Sequence, residues 1–197
     1  MQDQLIIHHC YLFKHIATHI LRRGTPHAMN FLFYPRDFNP AHVHFGPIVK
    51  NNDSDGNFSR IIYSTKNISL NGIGIAIELN DAVVETHYKK MFIRFDPNSA
   101  ANSSMVSQLQ TIESTIIKKY VEHVVRDTRH CVHSLAEQLS NGCIKAFTND
   151  ALGGDTDGCI HGSASNPSNP SNQVMLKICG VWETKDECGI IHKFIKC

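Results

Sequence analysis

At 197 residues and 42% hydrophobic composition, the chain is long enough for one domain with a sizeable core, and its short apolar runs exclude a helical membrane span of ~20 residues. Its 19 Lys and Arg against 18 Asp and Glu leave a net charge of +1, which excludes a uniformly basic nucleic-acid coat but not a basic stripe on one face. Seven cysteines without framework spacing, and no basic region ahead of an apolar run at the N-terminus, predict an intracellular protein with free thiols.

Apolar residues Leu5, Ile6, Cys10, Phe13, Ile16 and Ile20 recur near the 3.6-residue period, and Arg22, Arg23 and Gly24 supply a basic last turn and a stop. Residues 1–24 are therefore expected to form an N-terminal helical extension. Residues 31–35 read as a short strand ended by Pro35, residues 37–47 as extended and irregular, and residues 51–57 as a turn. Residues 60–65 and 90–95 read as strands. The clearest strand is 72–79: Ile73, Ile75, Ile77 and Leu79 share one face, and Gly72, Gly74, Ala76 and Glu78 share the other. A face almost free of side chains lets something approach the backbone closely.

Residues 104–140 carry helical periodicity through Met105, Leu109, Ile112, Ile116, Tyr120 and Val124, then a second piece through Leu135 and Leu139, with Asn141 and Gly142 as the stop. Residues 142–147 read as a strand. Residues 149–172 are almost pure Gly, Ser, Asn, Asp and Pro, the composition of a long mobile loop. Residues 174–197 hold two apolar runs around a charged turn, Thr184 to Glu187, and read as a closing β-hairpin.

This order predicts a mainly β protein with helices: a five-stranded Greek-key barrel of the oligonucleotide-binding (OB) type, with a long helix between strands three and four. Residues 25–197 would form the barrel domain, and the 149–172 loop would lie on its ligand side.

Residues 69–74, 176–184 and 188–194, with the Phe-Asn-Pro and His-Phe-Gly pieces of 38–46, resemble the OB-fold single-stranded-DNA-binding proteins of large double-stranded DNA viruses, and more distantly the phage replication proteins of that class. The resemblance spans residues 30–197. It implies sequence-nonspecific binding of single-stranded DNA (or RNA) in viral replication or recombination, without catalysis or cofactor, with replication proteins as further partners and room for oligomers on DNA.

Such binding needs aromatic faces for bases and cations for phosphates on one surface. Strand alternation pairs Tyr34 with Arg36 and Phe92 with Arg94. It sets Lys177 opposite Leu176, Ile178 and Trp182, and Lys193 opposite Phe194. Lys66, Lys89 and Lys90 sit at strand ends, and Tyr63 on the 60–65 strand completes the set. The plain alternative is that each is an ordinary solvated side chain. Trp182, in phase with Leu176 and Ile178, is expected in the core.

Two other functions remain in view. The Gly72–Ala76 face suits a protein-interaction module of replication or virion machinery. Loop aspartates (Asp37, Asp53, Asp55, Asp155, Asp157) and the His15/His19, His42/His44 and His130/His133 pairs suit a metal-dependent nuclease, although none has the spacing of a complete metal site. No phosphate-binding loop, nucleophile elbow, zincin motif or dinucleotide fingerprint occurs.

Overall fold

The computed structural model describes residues 32–51, 56–87, 90–125, 128–147 and 173–196. The helical extension expected over 1–24 and the loop expected over 149–172 lie outside the described residues. In chain order the strands are β1 (Val43–Asn51), β2 (Gly56–Ser64), β3 (Ser69–Asn71), β4 (Ile73–Glu78), β5 (Val83–His87), β6 (Lys90–Arg94), β7 (His130–Val132), β8 (Cys143–Phe147), β9 (Gln173–Glu183) and β10 (Glu187–Lys196). Helix α1 (Ser103–Tyr120) lies between β6 and β7, and α2 (Ser134–Ser140) between β7 and β8.

The five-stranded barrel is overturned. All ten strands belong to one mixed sheet whose main path runs β1-β2-β9-β10-β8-β6-β5, with β3 on β2, β4 on β9 and β7 on β10. The sheet is open along this path, β1 and β5 being its ends. The closing hairpin is present as β9 and β10, but it forms the middle of the sheet. Next to it β10 runs parallel to both β7 and β8, pairings made between residues far apart in sequence.

Local chemistry explains most elements. α1 turns Val106, Leu109, Ile112, Ile116, Ile117 and Tyr120 inward, the stripe expected of an amphipathic helix. The helical region expected over 104–140 is interrupted: a π-turn at Val121–Val125 ends α1, and β7 intervenes before α2. Pro40–His42, expected as extended, forms a 3₁₀ turn with Pro40 at its start and the Asn39 side chain accepting from the Ala41 N–H. The 31–35 strand shrinks to a parallel bridge between Phe33 and Ile75.

Two backbone features set the sheet's geometry. Gly72 has φ +86°, and a Cβ there would stand 2.7 Å from the Ile178 carbonyl oxygen. Only glycine adopts this conformation at such close approach without strain. It lets one run of chain pair first with β2, as β3, and then with β9, as β4. In β9, Ile178 pairs with His192 but Gly180 pairs with Ile191, so Cys179 is an extra residue, a β-bulge. Before the bulge, Leu176 and Ile178 point inward; after it, Val181 and Glu183 do. The helices pack on the inward face, against β8 and β10.

Candidate nucleic-acid interface

Strand alternation and register fix what the outward face carries. Ile75, Leu176, Phe194 and Ala146 lie side by side across β4, β9, β10 and β8, all buried. Their sequence neighbours therefore lie on the opposite, outer face of the sheet, where Met175 and Ile195 are still buried and Lys177, Lys193 and Lys145 are half-buried. Gly74 pairs with Lys177, and Lys177 with Lys193. Ile195 stands beside Phe147, and two residues earlier on the same two parallel strands stand Lys193 and Lys145. Lys145 pairs with Phe92, and Phe92 with Glu85. One transverse row thus reads Gly74, Lys177, Lys193, Lys145, Phe92, Glu85 across six strands. Five strand spacings of ~4.8 Å make it ~24 Å wide.

The three lysines are the row's notable chemistry. Like charges directly opposite in a sheet are destabilising, yet Lys177 faces Lys193, and Lys145 adjoins it. Among the described residues none of the three has a carboxylate within ion-pair distance. The Lys145 ammonium lies 5.4 Å from the centre of the Phe147 ring, and Phe92 is half-buried beside it. The acids stay at the margin, where Glu85 is bonded to Arg94 at 3.2 Å. A row of unpaired cations with aromatic neighbours can hold a chain of phosphates and stack the attached bases.

The structure brings Phe92, Arg94, Lys177 and Lys193 onto this face. Tyr34 follows Phe33, whose ring is buried and whose backbone bonds Gly74 and Ala76 at 2.8 Å. Tyr34 turns outward at the β4 margin, 44% exposed, with the Arg36 guanidinium 5.0 Å above its ring. Arg36 also lies 4.0 Å from Asp37.

Tyr63 does not belong to this surface. It alternates with Ile61 toward the core, is 2% exposed, packs 4.8 Å from the Phe33 ring and accepts the Asn39 N–H. Burial raises its phenol pKa. Lys66 sits in the exposed turn between β2 and β3, off the row. Lys90 holds the register position opposite Phe147, and Lys89 lies outside the described residues. Lys145 and Phe147 escaped the sequence reading, although the alternation of Ile144 and Ala146 against them was there to be read.

Trp182 is the instructive departure. Its expected core position assumed unbroken alternation from Leu176, and the Cys179 bulge reverses the phase. Trp182 faces outward, half-buried, beside Phe58.

Two buried carboxylates serve the fold. Glu183 accepts from the Tyr120 hydroxyl at 3.1 Å and from the Asn57 amide at 3.0 Å, and pairs with Arg129 at 3.4 Å. Arg129 also donates to the Thr184 carbonyl. Glu113 accepts the Leu135 and Ala136 N–H groups at 2.9 and 2.7 Å, capping the first turn of α2 from another helix. Desolvation raises its pKa, against those two bonds and His133. Among the described residues no three His, Cys, Asp or Glu side chains gather as a metal site. None of the helices among them is long and apolar enough to cross a membrane. Asp53, Asp55, Asp155, Asp157, His15 and His19 lie outside the described residues.

Comparison with family models, curated proteins and solved structures gives no match.

Proposed function

We propose that this protein binds single-stranded nucleic acid, DNA foremost, without sequence preference and without covalent chemistry, on the outward face of the β4-β9-β10-β8-β6 sheet. The observation that carries this reading is the lysine row. Lys177, Lys193 and Lys145 adjoin on three neighbouring strands, unpaired among the described residues, with Phe92 and Phe147 against them. Mutual repulsion disfavours such a row in the free protein, and a polyanion laid along it reverses the sign. A near-neutral chain is compatible with this, because the acids on this face, Glu78 and Glu85, lie toward its β4 and β5 margins rather than among the three lysines.

The rival reading, a protein-docking face along Gly72–Ala76, has less in its favour. Gly72 is buried and consumed by its approach to β9, and the open part of that face borders Lys177.

The test is fluorescence anisotropy with labelled oligo-dT across a salt series. Three phosphate contacts on a single strand give a log–log slope of about −2. Duplex of equal length should bind more weakly, because its bases are not free to stack. A salt-independent affinity, or no binding at low salt, rejects the reading.

A further inference from the structure

We propose that Phe58 and Trp182 form a base-stacking platform, with Arg60 as its phosphate contact, and that it extends the lysine row toward the β2 side of the sheet. The inference rests on the single-strand reading above and adds a second stacking site at a distinct place on the same face.

The bulge at Cys179 creates this patch. It carries Gly180 and Trp182 to the outer side, where Trp182 pairs with Phe58 of β2 on one flank and Gly189 of β10 on the other. Both rings lie down over neighbouring glycines. A Cβ on Gly189 would stand 3.0 Å from the indole Nε1 and 3.1 Å from Cε2, and one on Gly180 would stand 2.6 Å from Phe58 Cζ. A Cβ projects perpendicular to the sheet, so each ring covers the backbone of its glycine. The Trp182 and Phe58 ring atoms thus sit over the sheet at Gly189 and Gly180. Both residues are half-buried and neither is in the core. Covering a glycine protects the sheet, yet both residues stay partly accessible to solvent.

Charge supplies the second argument. Arg60 follows Phe58 by two residues on the same side, is exposed, and pairs in register with Gly180. Among the described residues no carboxylate lies within ion-pair distance of it. From Gly189 along β10 the outer positions run through Ile191, 39% exposed, to Lys193. That is four residues, ~13 Å. Aromatic rings and an unpaired cation thus continue directly into the lysine row. The occupant this chemistry fits is the same extended single strand, with one or two bases on the rings and its phosphates passing Arg60 and then Lys193 and Lys177.

The chain has a single tryptophan, so its emission reports this position alone. The full chain is titrated with end-labelled oligo-dT at 50 mM salt, and label anisotropy and tryptophan emission are read together. Quenching of Trp182 in step with anisotropy is expected. Trp182→Leu should weaken binding between about fivefold and about 150-fold, the range for losing one stacked base, with the salt slope unchanged because no ion pair is lost. Trp182→Phe keeps a ring over Gly189 and should retain most of the affinity. If Trp182→Leu fails to fold, Phe58→Leu with the emission readout replaces it. Full-strength binding by anisotropy, with unchanged emission and unchanged affinity in the variants, overturns the platform while the lysine row stands. Absence of any oligo-dT binding by the unaltered chain overturns both.

Discussion

Lys193→Met separates a binding row from an ordinary solvated surface, because it should move stability and affinity in opposite directions. Methionine keeps the unbranched stem and deletes the charge. In the free protein Lys193 is flanked by Lys177 and Lys145. If flexible stems hold the ammonium groups ~8 Å apart in water, each repulsion is about 0.5 kcal/mol, and salt screening with a ~10 Å Debye length at 0.1 M roughly halves it. Removing two such terms should stabilise the fold by about 0.5 kcal/mol, or raise Tm by ~1–2 °C for a domain of this size. In the complex one phosphate contact disappears, which makes the salt slope shallower by about 0.7. The same exponent gives a loss of about eightfold at 50 mM salt, shrinking to about 1.6-fold at 500 mM. The assays are thermal melting and oligo-dT anisotropy at both salts, with Lys66→Met, off the row, as the control. A lowered Tm, or a salt slope equal to that of the control, would refute the reasoning.

Glu183→Ala should cost about 3–5 kcal/mol, because it strands the half-buried Arg129 and removes the acceptor of Tyr120. Glu85→Ala, at an exposed pair, should cost under ~1 kcal/mol, and equal losses in denaturant melts would show that the buried hub is not special. Gly72→Ala meets both a φ of +86° and a carbonyl 2.7 Å from the new methyl carbon. It should destabilise by at least ~1–3 kcal/mol, and an unchanged melting curve would contradict the bend. For Glu113, burial lifts the carboxyl above its ordinary 4.5, so the folded state holds this proton more tightly than the unfolded chain. Its contribution is complete below about pH 4.5 and is lost as pH rises through the raised value. The unfolding free energy of the wild type relative to Glu113→Gln should therefore fall as pH rises above about 4.5, and a flat difference would refute the assignment.

Local sequence determined what local physics controls. The alternation of Ile73, Ile75 and Ile77 specified a half-buried strand, the spacing of Leu109, Ile112, Ile116 and Tyr120 specified α1, and the two apolar runs around Thr184 to Glu187 specified the β9–β10 hairpin. The opposition of Lys177 to Leu176, of Lys193 to Phe194 and of Phe92 to Ile93 was also readable, so each cation's side of its own strand was known in advance. Which strands adjoin was not. The pairing of β4 with β9 and the parallel placement of β10 against β7 and β8 join residues far apart in sequence and leave no periodic trace, so a barrel and an open ten-stranded sheet share one local pattern. The same gap hid the lysine row, because it exists only once β9, β10 and β8 are neighbours. Cys179 is the sharpest case. A single extra residue in β9 reverses the alternation, sends Glu183 into the core and Trp182 out of it. Gly180 beside it is the one local sign of a bulge, but that sign does not by itself say that the alternation reverses there.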